Sequence, residues 1–259
     1  MTIVCAFCVA LTAIVAVLTA RHKVAVREMR RFPPADEVRA TDYFPLSVGN
    51  QWTYKGKAKN RAPDDTMVIE KPVRVTMTVE RVVRRGDASL YIMRGSPADA
   101  QWSLTPEDRC KPVVEPPPSR YGLLVAANKM FPIPDGRIAQ VSDALENGAS
   151  MCPVTADEPA FEFPLFEGQR FGDSSQLARK DDASWWNVWY VEEVTESAVP
   201  EAGSRPVAPT YHLVYRTNPD YTEVLFVPYV GITQWSYRHH GTPAEAEVSL
   251  TGCKTHLGN

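Results

Sequence analysis

The chain has 259 residues, 44% of them hydrophobic and 23% charged, with 28 basic against 31 acidic side chains. That is enough apolar material for a sizeable core and excludes a disordered chain. Residues 1–20 carry no charged side chain and residues 21–41 hold six basic and three acidic ones, which leaves 22 basic against 28 acidic in 42–259, a balance with no general attraction to nucleic-acid phosphates.

Ile3 to Ala20 is an unbroken run of apolar or small residues. As a helix, 18 residues span ~27 Å, close to the hydrocarbon thickness of a bilayer. A cleaved signal peptide opens on a basic segment, whereas this one opens Met1-Thr2-Ile3, and cleavage after Ala20 would place Leu18 where a small residue is needed. Residues 1–20 are therefore expected to remain as a transmembrane signal anchor, with the bilayer a partner through residues 3–20. Residues 21–41, which include Pro33-Pro34, read as a basic juxtamembrane linker suited to anionic head groups. By the positive-inside rule that cluster would hold the following domain in the cytoplasm, yet large domains are translocated despite such charges.

From residue 42 to 259 the pattern is that of strands separated by turns. Met67 to Val83 alternates Val, Thr and Met with polar residues, and Arg84-Arg85-Gly86-Asp87 turns it into Ser89–Met93 as a hairpin. Further strands are predicted at Gln101–Leu104, Gly122–Ala126, Trp186–Val194, Tyr211–Arg216, Glu223–Val227, Ile232–Arg238 and Glu245–Leu250. Asn218-Pro219-Asp220 and His240-Gly241-Thr242-Pro243 supply turns for a C-terminal antiparallel meander. Twenty-two prolines oppose long helices, and only residues 138–147 have a short helical pattern. The predicted fold is all-β, built of antiparallel sheets as a curved sheet or a sandwich, with one N-terminal transmembrane helix.

Five cysteines are present. Cys5 and Cys8 lie in the apolar run without the Leu-small-small pattern of a lipoprotein site. Cys110 and Cys152 both sit in polar, proline-flanked sequence and form the natural disulfide pair in an oxidising compartment, with Cys253 unpaired.

Two stretches echo each other: Phe44-Pro45-Leu46-Ser47-Val48-Gly49-Asn50-Gln51-Trp52 and, from Phe163, Phe163-Pro164-Leu165-Phe166-Glu167-Gly168-Gln169-Arg170-Phe171. Proline ends an extended segment, glycine permits a tight turn and the aromatic plugs the start of a strand. The echo suggests two related halves, 42–160 and 161–259. With Phe44 to Tyr54, the copy at Phe163, and Val227-Pro228-Tyr229-Val230-Gly231-Ile232 leading to Trp235-Ser236-Tyr237, the chain resembles a loose group of exported bacterial β-sheet proteins, often lipoproteins, with a repeated FPLxxGxxW motif. The resemblance implies a β fold and export, hence a periplasmic domain, and it implies no activity. The chain departs from that group in lacking a lipoprotein cysteine.

The sequence holds no GxSxG, HExxH, GxGxxG or P-loop motif. His239-His240, with His212 and His256, would be the metal candidates, but adjacent strand residues point to opposite faces. Glu192-Glu193 and Asp181-Asp182 would be the paired carboxylates of a hydrolase, and solvated surface charge is the commoner use of such pairs. No catalytic, cofactor-binding or metal residue is assigned. In the aromatic cluster Trp185, Trp186, Trp189 and Tyr190, alternation puts Trp186 and Tyr190 on one face and Trp185 and Trp189 on the other, so Trp185 and Trp189 are the candidate interface. The expected function is that of a membrane-anchored, non-catalytic accessory or scaffolding subunit of an envelope membrane complex, with integral membrane proteins as partners and no cofactor. The alternatives are a carrier or sensor of a lipid-like apolar ligand and, further off, a hydrolase.

Overall fold

The computed structural model describes residues 40–61, 67–101, 105–148, 159–181, 186–197 and 208–255. The expected membrane helix, the linker up to residue 39, Cys152, Trp185, His256 and most of the strand expected at 101–104 lie outside them. Among the described residues no helix is long and apolar enough to cross a membrane.

The described residues build one twelve-stranded antiparallel sheet. Its strands are β1 (Gln51–Arg61), β2 (Val68–Arg85), β3 (Ala88–Arg94), β4 (Arg120–Ala126), β5 (Lys129–Pro134), β6 (Phe161–Glu162), β7 (Arg170–Gly172), β8 (Val188–Ser197), β9 (Ala208–Arg216), β10 (Asp220–Val227), β11 (Gly231–His239) and β12 (Glu245–Lys254). The spatial order is β6-β5-β4-β3-β2-β1-β12-β11-β10-β9-β8-β7. Two six-stranded meanders are thus joined where β1 pairs with β12. The edge strands β6 and β7 follow one another in sequence, the Gln169 side-chain amide donates to the Glu162 carbonyl at 2.8 Å across the connecting loop, and the sheet curls into a nearly closed barrel.

Alternation explains which face is inside. In β2, Val73, Val75, Met77 and Val79 are buried while Arg74 and Glu80 are exposed, the period-two pattern of a half-buried strand. Tyr54, Leu213, Val224, Trp235 and Val248 continue the same inner face on other strands. Gly56 lies on it because β1 and β12 run so close that a Cβ there would stand 1.9 Å from the Glu247 carbonyl oxygen.

The outer face of β2 to β5 has a second core. Helix α2 (Asp135–Asn147; α1 is the short turn Ala40–Tyr43) seats Ile138, Val141 and Leu145 against Val83, Leu90, Ile92, Leu124, Phe131 and Ile133. Asp135 stands in its first turn, favourable to the helix dipole. The helix ends at Gly148, which is left-handed at φ 76°, and Arg85 donates to the Leu145 carbonyl at 3.0 Å, so one of the last-turn carbonyls that lack an intrahelical donor is satisfied. Truncating a fully buried Ile or Leu here costs roughly 2–5 kcal/mol.

Candidate functional site

The three motifs of the sequence converge on one end of the barrel. Phe44, Phe161, Phe163 and Phe226 pack ring to ring with centroids 5.3–6.5 Å apart, and Trp52 meets Phe44 edge-on at 5.5 Å. Tyr43 stacks on Phe163 at 4.8 Å. Offset and edge-to-face pairs of this kind add about 0.5–1.5 kcal/mol beyond their buried area. The late Val-Pro-Tyr-Val-Gly-Ile turn holds the first motif from behind. Trp52 Nε1 donates to the Val230 carbonyl at 2.6 Å and the Tyr54 hydroxyl to the Ile232 carbonyl at 3.0 Å. Gly231, at φ 99°, is required there, since a Cβ would stand 2.5 Å from Phe44 Cε2.

The echo is geometric as well as sequential. The Asn50 and Gln169 amides each close a turn by donating to the carbonyl three residues back, Ser47 and Phe166. The Gly49 and Gly168 amides donate to the carbonyls of Val79 in β2 and Val191 in β8, and those valines donate back to Asn50 and Gln169. Both glycines are left-handed, at φ 86° and 82°. In both halves the next residue, Glu80 or Glu192, sits at a bulge that shifts the pairing with the following strand. The side chains at the turn also match in role: Asn50 donates to the Pro45 carbonyl, while Gln169 accepts from the Phe166 amide and donates to Glu162.

Burial shapes the phenols around this plug. It pushes the Tyr43 hydroxyl up to about 12, helped by Tyr211 and Tyr229. Tyr54, enclosed and facing Tyr121 and Cys253, is held well above its ordinary value. Tyr121 is raised by burial and then by Asp99. All three remain neutral at physiological pH.

The outer face of β8 to β12, β1 and β2 is a cross-strand ladder of charge. His212 lies between Glu192 (Nδ1, 3.5 Å) and Glu223 (Nε2, 3.6 Å). Arg216 pairs with Glu192 at 3.3 Å and Arg238 with Glu223 at 3.2 Å, and both guanidinium groups approach the Tyr221 ring. Ser236 donates to Glu223 at 2.9 Å. Lys59 with Glu245 and Lys57 with Glu70 continue the row. Such pairs on exposed strands contribute under about 1 kcal/mol each and fix register more than stability. A shallow groove lined by Tyr190, Glu192, Val214 and Arg216 opens beside His212.

The residues singled out by sequence fall as follows. Trp189 is half-buried, paired with Phe171 of the neighbouring β7 and packed on Tyr215 at 5.2 Å. Trp186 stands in the turn before β8, 38% exposed. Cys110 and Cys253 are exposed, and no disulfide joins them to another described residue. His239 contacts Thr242 Oγ1 and lies 4.0 Å from Asp220, on a different strand from His212. Among the described residues no cluster of three His, Cys, Asp or Glu side chains has metal-binding geometry. Asp181 is engaged by Arg179 and Glu192 by Arg216 and His212. The grouping of Glu192, His212 and Glu223 escaped sequence reasoning because it arises from register among three strands, and no local signal marks it.

No protein-family model matches the chain, and no curated protein matches it in sequence. Among solved structures it is similar to a candidate exported protein with a YmcC-like fold from Bacteroides fragilis, with 11% identity, coverage of 82% of this chain and 99% of that one, and a TM-score of 0.38. A candidate lipoprotein from Parabacteroides distasonis gives 10% identity, coverage of 82% and 98%, and a TM-score of 0.37.

Proposed function

We propose that the chain is a membrane-anchored, non-catalytic accessory or scaffolding subunit of an envelope membrane complex, with its β domain outside the bilayer. The observation that supports this most is the way the barrel is filled. Phe44, Trp52, Phe161, Phe163 and Phe226, each at most 7% exposed, pack against one another and fill one end of the barrel interior. A domain that spends its aromatic residues on its own core offers partners its outer surfaces. The apolar run at 3–20 supplies the tether, and the excess of acidic over basic residues in 42–259, 28 against 22, disfavours nucleic acid.

The test is extraction of the full chain from its own membrane in mild detergent, followed by native mass spectrometry. The proposal expects the intact chain in a defined assembly with integral membrane subunits. A lone chain carrying a stoichiometric apolar small molecule would replace the proposal with the carrier reading.

A further inference from the structure

The sheet's topology decides which end of the barrel faces the tether. Every neighbouring pair of strands is antiparallel, and β1 and β7 stand six places apart in the order. They therefore run the same way, and the two FPL loops that lead into them lie at the same end of the barrel. The described chain enters at that end too. Ala40 is fully buried there, Tyr43 lies against Phe163, and the Tyr229 amide donates to the Tyr43 carbonyl at 2.8 Å.

Each loop turns its Phe and Leu inward, since Phe44, Leu46, Phe163 and Leu165 are 1–4% exposed, and presents one apolar side chain outward: Val48, 52% exposed, and Phe166, 58% exposed. The loops are braced by the paired hydrogen bonds of Gly49 and Gly168, so neither side chain can fold away by a local rearrangement of an unsupported loop. Exposed apolar side chains occur elsewhere too, Met67 among them, so what distinguishes Val48 and Phe166 is that both stand at the end where the chain enters the barrel. What covers them is indicated by the chain itself. The 18-residue apolar run at 3–20 is joined to this end of the barrel through 21–39, where six basic residues outnumber three acidic ones.

We infer that the two FPL loops form the membrane-facing end of the barrel, with Val48 and Phe166 dipping into the interfacial layer of the bilayer that holds the tether. This rests on the anchored reading above and adds to it an orientation and a contact surface. Tethering makes the contact effectively intramolecular, so two apolar tips suffice where a free domain would dissociate.

The experiment places the full chain in vesicles of phosphatidylcholine and phosphatidylglycerol, with and without bromine on the acyl chains. Phe166→Trp and Val48→Trp each add an emitter at the loops, Met67→Trp adds one before β2 at the opposite end, and the signal of the six native tryptophans is subtracted. The added emission of Phe166→Trp and Val48→Trp is expected to fall several-fold more in brominated vesicles than that of Met67→Trp. If the protein floats with the vesicles and the three added tryptophans are quenched alike, the orientation is overturned while the anchor stands. If the full chain does not float with the vesicles, the anchored reading fails and the orientation with it.

Discussion

The aromatic plug predicts an unequal response of two glycines that share a backbone conformation. Gly231 (φ 99°) and Gly49 (φ 86°) both lie where a side chain is strained, but a Cβ at Gly231 would meet Phe44 Cε2 at 2.5 Å and Cδ2 at 2.9 Å, whereas one at Gly49 meets nothing within 4 Å. Gly49→Ala should therefore cost only the backbone strain, about 1–2 kcal/mol. Gly231→Ala adds overpacking of about 1–3 kcal/mol, for a total of roughly 2–5 kcal/mol against a typical domain stability of about 5–15 kcal/mol. Phe44→Leu removes the offending ring, so in the double variant Gly231→Ala should cost about as much as Gly49→Ala does. Urea denaturation of the wild type, Gly231→Ala, Phe44→Leu and the double variant measures the cycle, with Gly49→Ala as the reference for strain alone. Equal costs for the two glycines, or no relief from Phe44→Leu, would refute the claim that Phe44 is wedged against the late turn.

Three further outcomes are expected. Gln169→Ala removes both bonds at the barrel seam, to the Phe166 amide and the Glu162 carbonyl, and should cost about 1–3 kcal/mol in urea; a loss below about 0.5 kcal/mol means the seam is held by something else. Ile138→Ala in α2 should cost about 2–5 kcal/mol, and near-neutrality would show that the helix contributes little to the outer core. Because Tyr43, Tyr54 and Tyr121 are all raised in the fold, their contribution is complete below pH ~10, where free phenols stay neutral, and fades as pH rises toward their folded values, about 12 for Tyr43. Stability flat from pH 10 to 12 in the same denaturation assay would contradict their burial.

Much of this architecture was legible in the sequence, and the failures have physical causes. Met67–Val83 and Ser89–Met93 announced β2 and β3 because valines alternate with polar residues and Gly86-Asp87 closes the hairpin. The C-terminal meander was equally plain, its turns falling at Asn218–Asp220 and His240–Pro243. Strand β1 was legible only as a motif, because Lys55, Gly56, Lys57, Ala58 and Lys59 are weak strand formers; the inner glycine is dictated by the close approach of β12. Strand β5 was hidden by Pro132 and Pro134, which are tolerated because β6 reaches only Lys129 and Met130 and leaves no rung for the missing amides on that side. The site was less legible than the fold. The FPL echo pointed to its two loops, yet which of their apolar residues turn outward depends on bracing by Val79 and Val191, far along the chain. The ladder through His212 depends on register among distant strands.

The claim that everything functional here depends on is that the barrel is a filled scaffold tethered to a membrane assembly. Native mass spectrometry of the full chain released from its own membrane in mild detergent addresses it most directly. A filled, tethered scaffold should give an intact N-terminus and a defined complex with integral membrane subunits, with no apolar small molecule held by the barrel. A chain shortened to begin at Arg21, or one released alone with a bound apolar ligand, would contradict it.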